Sequence, residues 1–254
     1  MADTRPVYYT DIDRQRVQAY LDEEIGRASE NGLVGHELQS EYIHVDAEKR
    51  MMENGNTAYV TIGMGARRTD APLPEYRRTE LIMMTARDKP DPEIHVSRRD
   101  FLIYGELAGL SRFPFRKDTW FGHGHTISAS KEFSEEFGYT HFLFLQWGDP
   151  KPLDDGETVC FLIAVPIYKK ERDWMAEHEA GSWMFLHEYL ERFTDDENED
   201  GMFVIDVPRW EIIPDEDKAL DVYEYYFTAN DGADPDYGLK EQESGEYGTG
   251  QVFI

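Results

Sequence analysis

Phe113-Pro-Phe-Arg-Lys-Asp-Thr-Trp-Phe-Gly-His-Gly-His-Thr-Ile127 is the stretch on which the reading of this chain turns. Its fifteen positions hold three Phe, one Trp, two Gly and two His, directly after a run with helical periodicity. Gly122 and Gly124 free the backbone for a turn or a close approach, while Trp120 and Phe121 are large enough to anchor the segment to a core. Upstream, Ser97-Arg-Arg-Asp100 has the form of a capping box. Phe101, Leu102, Tyr104, Gly105, Leu107 and Ala108 then predict a largely buried helix ending near Arg112. Downstream, His141–Trp147 and Thr158–Ile167 give the two strongest strand signals. The turn-rich Asp149-Pro-Lys-Pro-Leu-Asp-Asp-Gly156 joins them, so they read as a hairpin-like pair.

Further out the pattern keeps mixing the two periods. Thr10 and Asp11 are helix caps, and Val17, Tyr20, Leu21, Ile25 and Ala28 predict a helix from about Ile12 to Glu30, before Asn31-Gly32. Strands are expected over Glu41–Val45, Thr57–Met64, Thr79–Thr85 and Met202–Val207, the last stopped by Pro208. Glu171–Phe193 reads as the longest helix, with Trp183, Leu186, Leu190 and Phe193 as its apolar stripe. Strands interleaved with three helices, without an internal repeat, imply an α/β (α+β mixed) domain with a central sheet. The expected layout is one domain over 1–213, followed by an acidic C-terminal extension, 214–254.

The 254 residues carry a net charge of −26, from 52 acidic and 26 basic side chains. Phosphate-bearing partners would be repelled, so nucleic acid and anionic membranes are not expected partners, whereas a basic protein is. Solubility or adaptation to high salt accounts for the same charge. From Asp195 onward there are 18 acidic and three basic residues, so the molecule is electrically lopsided. Basic residues gather instead at Arg67, Arg68, Arg77, Arg78, Arg87, Arg98, Arg99, Arg112, Arg116 and Lys117. The longest nearly apolar run, Val159–Tyr168, is too short to span a bilayer, and the N-terminus shows no secretory signal. With Cys160 as the lone cysteine, the expectation is a cytoplasmic protein without an intrachain disulfide.

Few residues are placed for catalysis. His123 and His125 would share a face if the segment were extended, and two imidazoles could bind zinc given a third ligand from elsewhere. His178 and His187 are nine apart on the expected long helix and point to opposite sides. Asp196-Glu-Asn-Glu-Asp-Gly201 opens like a calcium loop, but its twelfth position is Val207 in place of the bidentate Glu. Gly-x-Ser-x-Gly is absent, Cys160 sits in a hydrophobic run, and Gly63-Met-Gly65 lacks the Lys-Ser/Thr of a phosphate loop. Trp120, Phe121 and Trp147 are either a binding hot spot or core.

An ordered series of segments resembles the suppressor of fused domain. Tyr59-Val-Thr-Ile-Gly-Met64 is similar to a strand ending in Thr-x-Gly-Met, and Ala71-Pro-Leu-Pro74 and Arg78-Thr-Glu-Leu-Ile82 to the loop and strand next in order. Leu107–Pro114 resembles a helix closing on an aromatic-Pro step, and Asp118–Ile127 the family's hallmark segment. Phe161–Tyr168, with Glu171 and the helix after it, is similar to the later strand and helix, so the likeness covers about 34–213. The resemblance, to the bacterial single-domain type, implies a central mixed β-sheet flanked by helices and a non-catalytic, protein-binding role without a cofactor. Animal members restrain a transcription factor, and many bacterial members look like immunity proteins that neutralise a toxin. The second domain of the animal proteins is not expected here, so the transcription-factor role is not carried over. Asp118, Trp120, Phe121, His123 and His125 become the candidate binding residues. A metal-dependent enzyme using His123 and His125, and a regulatory or structural module with an acidic solubilising tail, are the alternatives.

Overall fold

In a computed structural model the described residues are 7–26, 28, 36–39, 43–86, 97–178, 185, 203–206 and 211–213. They form four helices, α1 (Asp11–Glu24), α2 (Arg98–Lys117), α3 (Lys131–Phe137) and α4 (Lys169–Glu177). The strands are β1 (His36–Gln39), β2 (His44–Met51), β3 (Thr57–Ile62), β4 (Thr79–Thr85), β5 (Thr126–Ser128), β6 (His141–Gln146), β7 (Lys151–Pro152) and β8 (Thr158–Ile167). The sheet runs β1-β2-β3-β4-β8-β6-β5, with β7 paired to β8. It is mixed, because β4 and β8 run parallel, Thr79 opposite Cys160, while every other pairing between these strands is antiparallel. The expected fold class therefore holds.

The central strands are near-continuous apolar runs because both faces of the sheet are covered. Period-two alternation sorts their side chains into two cores. Val159, Phe161, Ile163, Val165 and Ile167 of β8 face α1 and α4, and Cys160, Leu162 and Ala164 face α2 and α3. β4 divides the same way, Ile82 and Met84 to the first core and Leu81 and Met83 to the second. The expected β6–β8 pair is present, with His141 opposite Ile167 and Gln146 opposite Leu162.

Several boundaries differ from the sequence expectation. Helix α1 stops at Glu24, short of Glu30, because Gly26 adopts φ +123° and any Cβ there would collide with the Met51 carbonyl. The strand expected over Glu41–Val45 begins at His44 and runs to Met51, Glu41 and Tyr42 lying outside the described residues. Its charges disguised it. Arg50 is buried, reaching Asp22 (2.6 Å), Glu48 (2.8 Å) and the Gly26 carbonyl (3.0 Å).

Helix α2 begins on the expected capping box, Ser97 Oγ accepting from Asp100 N (3.1 Å) and Asp100 Oδ2 from Ser97 N (2.8 Å). It runs past Arg112 to Lys117, since Pro114 removes only one donor and its carbonyl still accepts from Asp118 and Thr119. Strand β5 and helix α3 were not expected. Their signals are modest: Ser130 caps α3 by accepting from Phe133 N (3.2 Å), and Gly138 closes it at φ +84°. Of the long helix expected over Glu171–Phe193, Lys169–Glu177 is described as α4, and most of the remainder lies outside the described residues. Of Met202–Val207, Val204 makes a single parallel bridge to Met84. The calcium-like loop, 196–201, and the extension, 214–254, also lie outside. Among the described residues no helix is long and apolar enough to cross a membrane.

Candidate functional site

The segment after α2 is built by its own aromatic residues. Asp118 ends the helix in a left-handed conformation, φ +53°, which Asp tolerates better than most side chains, and it stays partly exposed. Trp120, 7% exposed, then turns inward between Tyr76, stacked at a centroid distance of 5.9 Å, and His125, tilted at 4.2 Å. Phe121 is fully buried between Phe113 (5.8 Å) and Phe144 (4.5 Å). Gly122 is needed because the Trp120 ring lies against its backbone, where a Cβ would run into it. Gly124 at φ +82° completes a turn in which His125 N donates to the Gly122 carbonyl (3.2 Å). The chain then joins β6, Gly124 N donating to Phe144 O and Phe144 N to His125 O, both at 2.8 Å.

The segment therefore turns at Gly122–His125 and is not extended across His123 and His125. His125 is buried, and among the described residues its Nδ1 and the neighbouring Thr126 Oγ1 have no hydrogen-bond partner. His123 is half-buried, and its Nδ1 accepts from Gln146 N (3.2 Å). Burial lowers both imidazoles to about 4, against which a backbone hydrogen bond at Trp120 acts on His125. Both are neutral near pH 7, the form that ligates metals, yet among the described residues no three His, Cys, Asp or Glu side chains cluster as a ligand set. Burial also raises the Cys160 thiol to about 12, which removes it as a nucleophile.

Of the candidate binding residues, Trp120, Phe121 and His125 are thus interior supports, and Asp118 and His123 reach the surface. The half-buried rim beside His123 is Tyr76 and Gln146, whereas Trp147 packs against the core on the α1 side. Tyr76 Oη donates to Gln146 Oε1 (3.0 Å), and Gln146 Nε2 donates to the Gly148 carbonyl (3.0 Å). Sequence reading missed Tyr76 and Gln146, because the loop and strand carrying them meet only through the sheet.

A second constellation sits at the end of β3. Glu80 is fully buried, and its carboxylate accepts from Gly63 N (2.8 Å), Gly65 N (3.0 Å), Met64 N (3.3 Å) and Thr61 Oγ1 (2.6 Å). Three successive backbone N–H groups make an anion-binding concavity. Here the anion is the chain's own, so Gly63-Met-Gly65 is closed to phosphate. Burial pushes the Glu80 carboxyl up to about 7, and the donors from Thr61, Gly65 and Gly63 act against that rise.

This is the structural content of the Thr-x-Gly-Met motif. A family model described as Suppressor of fused protein (SUFU) matches residues 39–209, most of the chain. The chain belongs to the suppressor of fused family. Two solved structures share the suppressor of fused fold with it at low sequence identity. A chain of the Sufu–Fu complex crystal structure is 10% identical, with a TM-score of 0.54, over 88% of this chain and 97% of that one. The crystal structure of Drosophila Suppressor of Fused is 11% identical, with a TM-score of 0.52, over 89% of this chain and 55% of that one. This chain therefore spans little more than half of the Drosophila protein. No functionally curated protein matches it in sequence.

Proposed function

We propose that this chain is a non-catalytic protein-binding domain that serves as an immunity protein, neutralising a toxin by occupying it. One observation carries the reading: the family's hallmark segment spends its reactive-looking side chains inside the fold. Trp120, Phe121 and His125 support a pre-shaped surface, and among the described residues no ligand set accompanies them. Protein binding agrees with family membership and with the Sufu–Fu complex in which one structural neighbour was solved. A basic partner is favoured by the −26 charge, which steers and orients a cationic protein. On α1, Asp11, Asp22, Glu23 and Glu24 are exposed, Asp22 paired with Arg50, and Asp154 lies beside the helix, paired with its Arg16.

Affinity capture with the full-length chain, at low and moderate salt, tests this reading. One stoichiometric basic protein is expected, held more weakly as salt rises. Gln146→Lys, which alters the surface rim and removes the acceptor of the Tyr76 hydroxyl, should weaken capture. Recovery of no stoichiometric protein at either salt would sink the proposal.

A further inference from the structure

The solvent face of α2 is unlike the rest of this acidic molecule. Arg98, Phe101, Gly105, Gly109, Arg112 and Arg116 fall within about 80° of arc at 100° per residue, so they form one stripe. The helix's two acidic residues, Asp100 and Glu106, are buried and engaged, Asp100 by Lys49, Tyr59 and Ser97, and Glu106 by Ser130 N (3.0 Å). What faces water is therefore basic at both ends and apolar in the middle. Phe101 is 67% exposed, and the Arg98 side chain 83%. At the far end Arg67 lies over the Phe115 ring (5.6 Å), adding a cation beside Arg116 and Lys117. Glu136 approaches Arg98 and Arg99, at 3.5 and 3.9 Å, and Asp206 approaches Arg99 at 3.7 Å. Among the described residues Arg112, Arg116 and Lys117 have no carboxylate within 4.0 Å.

The glycines sharpen the point. Mid-helix glycine costs stability relative to alanine, and is usually retained where something approaches the backbone closely. Among the described residues, a Cβ added at Gly105 or Gly109 would meet nothing within 4 Å, so their packing does not require glycine there. The saddle they leave, between Phe101 and the arginines, suits an occupant bearing aromatic rings and negative charge.

We propose that this face docks the chain's own segment 214–254. The segment carries eleven acidic and two basic residues and the aromatic run Tyr223-Glu-Tyr-Tyr-Phe227, so its charge and side chains complement the stripe. Reach is sufficient. The described chain last appears at Ile213, next to Ile212, whose N–H donates to Glu171 (2.6 Å) on the α1 side of the sheet. The residues beyond it could extend roughly 135 Å, several times the ~17 Å radius of gyration of a domain this size. Intramolecular docking needs only modest intrinsic affinity, because tethering holds the segment at an effective concentration on the order of millimolar.

The test is zero-length carbodiimide cross-linking of the full-length protein, read by mass spectrometry on a mixture of unlabelled and heavy-isotope chains. It requires no external partner, so its outcome is independent of the immunity reading. Expected are cross-links within one chain between Lys117, at the edge of the stripe, and carboxylates of 214–254. Their yield should fall at least about fivefold at 0.5 M salt, where screening acts within a few ångströms. Arg112→Gln with Arg116→Gln should produce a similar fall. Gly105→Leu with Gly109→Leu fills the saddle without meeting the fold and should do the same. Absence of a Lys117 link to this segment, links only between unlabelled and heavy chains, or yields unmoved by both double variants and by salt would each overturn the proposal.

Discussion

Glu80 and Asp100, buried on opposite faces of the sheet, have pKa values shifted in opposite directions. On the α1 side, one buried carboxylate is Glu80, held by backbone dipoles and the Thr61 hydroxyl. On the α2 side, beside the buried Glu106, the contrasting one is Asp100, which accepts from Tyr59, Ser97 and Lys49. Burial raises both. For Glu80 it dominates, whereas at Asp100 the three hydrogen bonds and the Lys49 charge outweigh it and bring the carboxyl below its usual range. The solvent sides differ too, α1 exposing Asp11, Asp22, Glu23 and Glu24 with the single exposed Arg16, and α2 exposing arginines and Phe101. A single net charge therefore describes neither surface. It sets long-range steering, while each face selects its own contacts.

The sharpest way to break this contrast is to remove the Glu80 side chain. Glu80→Ala strands three buried N–H groups and should cost about 3–5 kcal/mol in urea unfolding. A loss under about 1 kcal/mol would mean that the cradle holds nothing together.

Acidity separates the faces next. Glu80 has a raised folded pKa, about 7 against an ordinary 4.5, so the folded state binds the proton more tightly. Its contribution is full below the ordinary value and is lost as pH rises through about 7. Asp100 is lowered, so its contribution is present above the ordinary 3.8 and is lost as pH falls below it. Stability curves of Glu80→Gln should therefore lose the slope between pH 4.5 and 7, and those of Asp100→Asn should lose part of the acid-side decline. Matching pH profiles for the two variants would erase the distinction.

Glycine substitutions give the smaller effects, and their signs should differ. Gly122→Ala drives a methyl into the Trp120 ring and should destabilise by about 1–3 kcal/mol, with a shift in tryptophan fluorescence. Gly105→Ala and Gly109→Ala meet nothing among the described residues and should each stabilise by about 0.5–1 kcal/mol in thermal unfolding at 0.5 M salt, where screening releases segment 214–254. Destabilisation at Gly105 or Gly109 would show that the α2 face is already packed against something within the fold.

How far the sequence reached can be seen residue by residue. The capping box at Ser97, the β6–β8 pair and the end of β3 at Gly63 were legible, because each is encoded within a few neighbouring positions. The end of α1 at Glu24 was not, since the Met51 carbonyl that makes Gly26 necessary lies 25 residues away. The candidate site divides likewise. Aromatic content and glycine spacing marked Phe113–Ile127, yet whether Trp120 faced a partner or the core depended on Tyr76 and His125 closing around it.

By itself, then, the sequence determined the mixed α/β class, the order of most elements, the family likeness and the lopsided charge, since periodicity, caps and composition are local. Only the tertiary structure decided which carboxylates go inside, which histidine is buried without a partner for Nδ1, and which helix turns its arginines to water. Those outcomes depend on long-range burial and on hydrogen bonds between strands and loops far apart in the chain, and no local pattern specifies them.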